Sequence, residues 1–445
     1  MQSADFSQRP IDQIDMIGYA DSPMDRVRIG IIGLGMRGPK AVERFCHIEG
    51  AEVVALCDLH EERVQKAQAV LRSNGRPEAE GYSGSADVWR ELVTRNDLDL
   101  IYIVMKWQSH AEMATYAMRQ GKHVAIEVPS AFEMSDIWAL VDTAERTRRH
   151  CMMLENCVYD AFELNTLNMA HHGVLGDILY AEGGYIHLLE DIWQQYDGNW
   201  RLEYNRKNRG DVYPTHGMGP ACQILDIHRG DRLTQLVSMD SDPVSIPRLL
   251  AARGEDASGF CNGQHTYTIL RTAKGKSILI HHDVATPRPY SRQYNVAGTK
   301  GYATKYPVPL YSLSSAPRGV SGTALVFGEP FSPHEWLSQE QQETLLQEFR
   351  HPFLRDLGDK AARYDYRGGM NYIMDYRLIY CLRHGLPLDM DVYDLAEWCC
   401  VVPLSKQSIE GGSIPVSIPD FTRGSWSKSD GYRQAIAEDG LRMVD

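Results

Sequence analysis

Short, nearly continuous apolar stretches alternate with stretches of three-to-four-residue periodicity through the first third of the chain. The apolar stretches, at 27–32, 52–57, 98–104 and 123–128, are too short for helices and lack the alternation of a half-exposed strand. They predict strands buried on both faces. The periodic stretches predict helices over 39–49, 60–71, 111–120 and 135–149. Pro39 falls at a helix start, where its missing N–H costs little. This alternation predicts a mostly parallel sheet covered by helices on both sides. Right-handed crossovers then bring the strand C-termini to one edge, where ligands bind.

After about residue 150 the pattern changes. One more strand is read at 151–155 and a helix at 159–171. Strand-like 178–187 is followed by 266–271 and 277–282, which flank Lys274-Gly275, a hairpin signal. Further strands are expected at 294–297 and 301–306, and helices at 339–349, 371–383 and 392–402. Two stretches, about 188–212 and about 305–335, have no clear period. Loops of that length inside a compact domain are usually functional or mobile.

The turn after the first strand reads Gly33-Leu34-Gly35-Met36-Arg37-Gly38, and the second strand delivers Asp58. Gly33 permits a tight turn, Gly35 lets backbone N–H groups approach a pyrophosphate, and Gly38 lets the helix pack close to the strand. The helix N-terminus adds partial positive charge. Asp58 accepts hydrogen bonds from ribose hydroxyls and repels a 2′-phosphate, so NAD is expected over NADP. Arg63 and His60 moderate that preference. The fold class is therefore α/β, with a Rossmann dinucleotide-binding domain at 27–155. An irregular segment, 1–26, precedes it. An α+β substrate domain with an open, largely antiparallel sheet follows at 156–445.

Composition narrows the partners. A formal charge of −13 and the lack of a basic stripe argue against nucleic acid or an anionic membrane. No apolar run is long enough to span a bilayer. The nine cysteines are odd in number and scattered, so no disulfide framework is expected, and Cys399-Cys400 reads as buried packing. The first residues lack the pattern of a signal peptide. Localisation stays open: periplasmic if a signal has been removed, cytoplasmic otherwise. No metal is expected, because the adjacent pairs His171-His172 and His281-His282 point apart.

The densest polar constellation is Gly210-Asp211-Val212-Tyr213-Pro214-Thr215-His216-Gly217-Met218-Gly219-Pro220. Its glycines and prolines can mount Tyr213 and His216 rigidly, and His suits proton transfer from a hydroxyl. Trp107-Gln108-Ser109-His110, Glu127-Val128-Pro129 and Leu154-Glu155-Asn156 each follow a strand end and would line the crevice. Core packing and ligand contact are both open for Trp107. Trp193, Tyr196, Trp200 and Arg201 suit a sugar ring, with loop packing the alternative for the tryptophans. The rigid turn 286–292 can aim Tyr290 at the crevice.

These residues resemble the Gfo/Idh/MocA oxidoreductase family and, more narrowly, the NAD-dependent glycoside hydrolases of family 109, the α-N-acetylgalactosaminidases. The likeness runs from about 27 to 425. It rests on the Gly33–Gly38 turn, Cys57-Asp58, 107–110, 121–129, 150–156, 213–217, 287–291 and Gly368-Gly369-Met370. Val128 stands where sugar dehydrogenases of the broad family carry a proton-transferring Lys. The resemblance implies that Met36, Arg37, Asp58, Trp107, His110, Glu127, Val128 and Asn156 contact NAD. It implies that Tyr185, Arg201, Tyr213, His216 and Tyr290 contact the sugar, with His216 and Tyr159 at the reacting carbons. It further implies transient oxidation at C3, elimination across C1–C2 with Tyr159 as the base, water addition and re-reduction. The alternative is a net NAD-dependent sugar oxidoreductase. A homo-oligomer is expected. The chain departs from the family pattern at Met105-Lys106, Arg367, Asn371 and the 188–212 stretch.

Overall fold

The computed structural model describes residues 8–314, 332–365, 368–438 and 440. Its first sheet comprises β1 (Val27–Ile32), β2 (Ala51–Cys57), β3 (Glu80–Tyr82), β4 (Leu100–Ile103), β5 (His123–Ile126) and β6 (Cys151–Met153). The order is β3-β2-β1-β4-β5-β6 and every pair is parallel. This is the Rossmann order, and the reversal between β1 and β4 opens a crevice at the strand C-termini. Every residue of β4 and β5 is buried, which is why these strands read as unbroken apolar runs. Helices Gly38–Phe45, Glu61–Ser73, His110–Arg119 and Met134–Thr147 cover the faces.

The second sheet comprises β7 (Ile178–Ile186), β8 (Leu233–Asp240), β9 (Thr266–Thr272), β10 (Ser277–Asp283), β11 (Asn295–Gly298), β12 (Gly301–Thr304), β13 (Leu310–Leu313) and β14 (Val416–Ser417). Its order is β13-β12-β11-β7-β10-β9-β8-β14. Only the β7–β10 pair is parallel. β9 alternates buried and exposed at every residue, so one face of the sheet is covered and the other open. The hairpin at Lys274-Gly275 forms between β9 and β10.

Three features bear on the site. Helix Thr215–Ile224 lies against β7 at backbone distance: a Cβ on Gly183 would sit 2.5 Å from the Gly217 Cα. That closeness sets the height of His216 above the sheet. Helix Met370–His384 reaches back to the first sheet, where Asp375 accepts from Arg44 Nε at 2.7 Å and from the Tyr102 hydroxyl at 2.9 Å. The segment before β1 is irregular but fastened, through Arg9 to Glu145, Tyr19 to the Arg148 carbonyl, and Arg149 to Asp21.

Several elements differ from expectation. The 188–212 stretch contains helix Trp200–Lys207, which lacks an apolar stripe and buries Arg201, Leu202 and Asn205 instead. The helix expected to end at 402 continues through Pro403 to Glu410. Helices Trp89–Val93, Ser245–Ala252 and Pro352–Tyr364, and strand β8, were not among the expected elements. Of the expected 305–335 loop, β13 is ordered and 315–331 lie outside the described residues, as does Arg367. All cysteines are free, and all but Cys261 are buried. Among the described residues no helix is long and apolar enough to cross a membrane.

Candidate active site

A cavity of about 760 Å³ runs along the C-terminal edge of the first sheet toward the second domain. Gly33, Gly35, Met36, Arg37, Asp58, Trp107, His110, Glu127, Val128, Arg201 and Tyr213 are on its wall. The three turn glycines divide the work as the motif requires. Gly33 has φ +98°, and a Cβ there would lie 2.2 Å from the Val104 carbonyl oxygen. A Cβ on Gly38 would lie 2.1 Å from the Gly33 carbonyl oxygen, so Gly38 serves packing rather than contact. A Cβ on Gly35 would find no protein atom nearer than 4.0 Å. No packing against protein atoms requires glycine there. That position is left clear on the cavity side, which fits a pyrophosphate approaching the backbone.

Asp58 caps the turn: its Oδ2 accepts from the Leu34 N–H at 2.8 Å and its Oδ1 from the His60 N–H at 3.0 Å. Each oxygen keeps lone-pair capacity toward the cavity. Arg63 lies 3.6 Å from Asp58 but donates both terminal nitrogens to Asp197, at 2.8 and 2.9 Å. Its charge is thereby engaged across the crevice, which weakens it as a partner for a 2′-phosphate.

Beside Tyr213, and off the cavity wall itself, stands the pair His216 and Glu155. Glu155 follows β6, and its carboxylate oxygens lie 2.7 and 2.9 Å from His216 Nδ1. Oε1 also accepts from the Cys157 N–H at 3.0 Å. Burial pushes this carboxyl up, but His216 and the Cys157 N–H outweigh it and hold Glu155 below the ordinary range. With Nδ1 engaged, Nε2 is the nitrogen left for exchange with a substrate. Tyr213 and Tyr185 stand edge-on to the imidazole, with centroids 5.0 and 5.4 Å away.

Arg201 completes the chamber. It is buried, donates to the Tyr196 hydroxyl at 2.8 Å, and stacks over Tyr213 and Trp107 at 4.7 and 4.9 Å. No carboxylate pairs with it among the described ion pairs. A buried guanidinium surrounded by aromatic faces and hydroxyls is suited to a polar, ring-shaped ligand. The Tyr185 hydroxyl shares a 2.9 Å hydrogen bond with His187 Nδ1, and Tyr290 packs edge-on against His187 at 5.0 Å. Trp107 does two things at once. It packs on Phe132, Trp200 and Tyr204, and it faces the cavity while donating Nε1–H to the Val128 carbonyl. Trp193 is buried and off the cavity wall.

Tyr159 is not where its expected role requires. It is 1% exposed, with its hydroxyl donated to Asp389 Oδ2 at 3.0 Å. Arg377 holds the same carboxylate at 2.8 and 2.9 Å. Burial and the adjacent Asp389 push the phenol well above its ordinary value, and its hydroxyl is already committed to that carboxylate. Two other assignments change character. Asn156 is off the wall and donates to Asn371 Oδ1, while Asn371 is held by Asp365. His110 touches the Pro129 and Met105 carbonyls through its two ring nitrogens, at 2.9 Å each, and burial favours the neutral ring. It ties two cavity loops together at the wall. The sequence placed Glu155 only in a segment lining the crevice, and gave His187 no role. A carboxylate just past a strand end was the only signal available for Glu155, and nothing singled out His187.

Asp211, at the start of the loop carrying Tyr213 and His216, is fully buried. Its Oδ1 accepts from the Tyr213 N–H at 2.9 Å, while Oδ2 has no partner. Burial, partly offset by that N–H, pushes its pKa up to about 7. A carboxyl whose folded pKa is raised imposes no ionisation cost below its ordinary pKa. The cost grows as pH rises and is complete above the folded value. Asp211→Asn is therefore expected to stabilise the fold at pH 8 by up to about 4 kcal/mol, with the gain vanishing near pH 4. Urea unfolding at the two pH values measures this, and an equal effect at both would refute it.

Comparison with known proteins places these features. The model described as "Oxidoreductase family, NAD-binding Rossmann fold", of the Gfo/Idh/MocA group, matches residues 27–155. The model described as "Glycosyl hydrolase 109, C-terminal domain" matches residues 159–428. A glycosyl hydrolase family 109 protein of Porphyromonas gingivalis is 58% identical over 93% of this chain and 88% of its own length. Glycosyl hydrolase family 109 protein 1 of Bacteroides fragilis is 55% identical over 97% of this chain and 92% of its own. Among solved structures, levoglucosan dehydrogenase in complex with NADH has a TM-score of 0.65 at 16% identity, covering 89% of this chain and 100% of that one. Myo-inositol 2-dehydrogenase from Lactobacillus plantarum has a TM-score of 0.60 at 17% identity, covering 88% and 100%. These last likenesses are of fold alone. The resemblance read from the motifs is thus borne out over most of the chain: it belongs to glycosyl hydrolase family 109 and carries the NAD-binding Rossmann domain of the Gfo/Idh/MocA oxidoreductases.

Proposed function

We propose that this protein is an NAD-dependent glycosidase acting on N-acetylgalactosaminides or related glycosides, by transient oxidation at C3, elimination across C1–C2, water addition and re-reduction. The observation that carries the reading is the His216–Glu155 dyad next to Tyr213, which with Arg201 lines a cavity whose wall fits a dinucleotide. NAD+, when bound, supplies a hydride acceptor that is restored within one turnover. Gly35, Met36, Arg37 and Asp58 would hold its pyrophosphate and ribose end, and Trp107, Glu127 and Val128 its nicotinamide end. Val128 offers no proton-transferring group, so His216 Nε2 takes the C3 hydroxyl proton and later returns it. Glu155 orients the imidazole and offsets its charge. Arg201, Tyr213 and Tyr290 bind the sugar.

The role at C2 passes from Tyr159 to Tyr185. Its hydroxyl is 2.9 Å from His187 Nδ1 and 3.4 Å from Arg201 Nη2. Burial raises its pKa and Arg201 opposes that rise. A phenol paired with an imidazole can pass its proton on as it accepts the C2 proton, so a free phenolate need not accumulate.

The test uses a nitrophenyl glycoside deuterated at C2, in ordinary water, without added electron acceptor. Cleavage with loss of the label is expected. Tyr185→Phe should retain hydride exchange at C3 and lose exchange at C2. Cleavage with complete retention of deuterium would overturn the elimination route. Steady growth of NADH absorbance with a ketone product would favour the net oxidoreductase instead.

A further inference from the structure

Away from the cavity, on the open face of the second sheet, three side chains converge. His281 and Asp283 are two residues apart on β10, so they share a face. His265 directly precedes β9, and the antiparallel register carries it opposite Asp283. The result is His265 Nδ1 at 3.1 Å from His281 Nε2 and 3.6 Å from Asp283 Oδ2, with all three atoms within 4.8 Å of one another. A tetrahedral zinc with bonds of about 2.0–2.1 Å needs donor atoms about 3.3 Å apart. The observed separations bracket that edge.

A second observation points the same way. Asp283 is 1% exposed. Its Oδ1 accepts from the Ala285 and Thr286 N–H groups, while its Oδ2, on the histidine side, is buried without a hydrogen-bond partner. An ionised oxygen left so is costly unless a cation meets it. The other face of His265 is also arranged. Its Nε2 lies 3.4 Å from the Thr286 hydroxyl, which accepts from Gln264 Nε2 at 3.0 Å. Donation from Nε2 to Thr286 would leave the Nδ1 lone pair aimed at the cluster, the outer-shell arrangement that ligating histidines have.

We propose that His265, His281 and Asp283 bind a zinc-like divalent transition metal, which staples the start of β9 to the end of β10 and, through Thr286, to the turn leading to Tyr290. Two imidazole nitrogens and one carboxylate select such an ion over magnesium or calcium, which require oxygen ligands. The positive charge of Arg288, felt at His281, further disfavours an ion held by charge alone. His265, whose side chain is 29% exposed, leaves a coordination position open to water. The adjacent His281-His282 pair does point apart, as the sequence suggested. The partner for His281 comes from the neighbouring strand, a pairing invisible in local spacing.

The full-length protein, stripped with a chelator and dialysed, would be titrated with zinc chloride by calorimetry and by thermal melts. One zinc per chain and a rise in Tm of a few degrees are expected. His265→Ala should abolish both while keeping the wild-type circular dichroism. Thr286→Val should weaken binding about tenfold. Cobalt(II) should develop the visible absorption of a tetrahedral site in the wild type and not in His265→Ala. Equal metal uptake by wild type and His265→Ala, or no uptake and no change in Tm, would overturn the proposal.

Discussion

Replacing His216 with alanine is expected to lower turnover by about three orders of magnitude or more, with NAD still bound. The reason is geometric. His216 is the one imidazole among the described residues that both meets a carboxylate through Nδ1 and stands edge-on to Tyr213 and Tyr185 at the chamber. It is off the wall of the dinucleotide cavity proper, so removing it should leave cofactor affinity largely intact. Turnover of a nitrophenyl glycoside and fluorescence titration with NADH separate the two effects. An unchanged rate would remove His216 from the mechanism, and equal loss of rate and cofactor would mean that the helix Thr215–Ile224 had moved.

Glu155→Gln is the second large effect, a fall of about 10²–10⁴ in kcat together with a loss of stability at neutral pH. Glutamine preserves shape and an acceptor oxygen but removes the negative charge that orients and stabilises the imidazolium. It also carries an amide N–H₂ that can present a donor to Nδ1 and reverse the tautomer. The pH dependence of stability offers an independent check. Glu155 is held below the ordinary carboxylate range in the folded state, against the push of burial. Its contribution to folding is therefore present above the ordinary carboxylate pKa and lost as pH falls through the lowered folded value. The stability gap between wild type and Glu155→Gln should close on acidification through that window. A gap independent of pH would mean that the Glu155 charge is not what holds the dyad. Wild-type kcat in the glutamine variant would remove Glu155 from the mechanism.

Much of the first domain was legible because its constraints are local. A parallel sheet buried on both faces demands continuous apolar runs, and β4 and β5 are such runs. A dinucleotide turn demands glycine where a Cβ would strike the chain or fill the phosphate approach, and Gly33, Gly35 and Gly38 stand at those places. Helix Trp200–Lys207 was not legible, because it buries Arg201 and Asn205 and carries no apolar stripe to announce it. Tyr159 misled for a related reason. Its place beside Asn156 in the chain says nothing of Asp389, 230 residues away, which takes its hydroxyl.

Taken alone, the sequence determined the two-part architecture, the dinucleotide turn with Asp58, the family, and the loop that mounts Tyr213 and His216. Periodicity, glycine placement and short motifs carry that information, because each reflects forces acting over a few neighbouring residues. Only the tertiary structure decided which acid meets His216, which phenol lies at the chamber, that Arg63 spans the crevice to Asp197, and that His265 faces His281 and Asp283. These pairings join strands and helices that are distant in the chain. Sheet order, register and the close backbone approach of Gly183 to Gly217 set them, and the packing of the whole molecule sets those in turn.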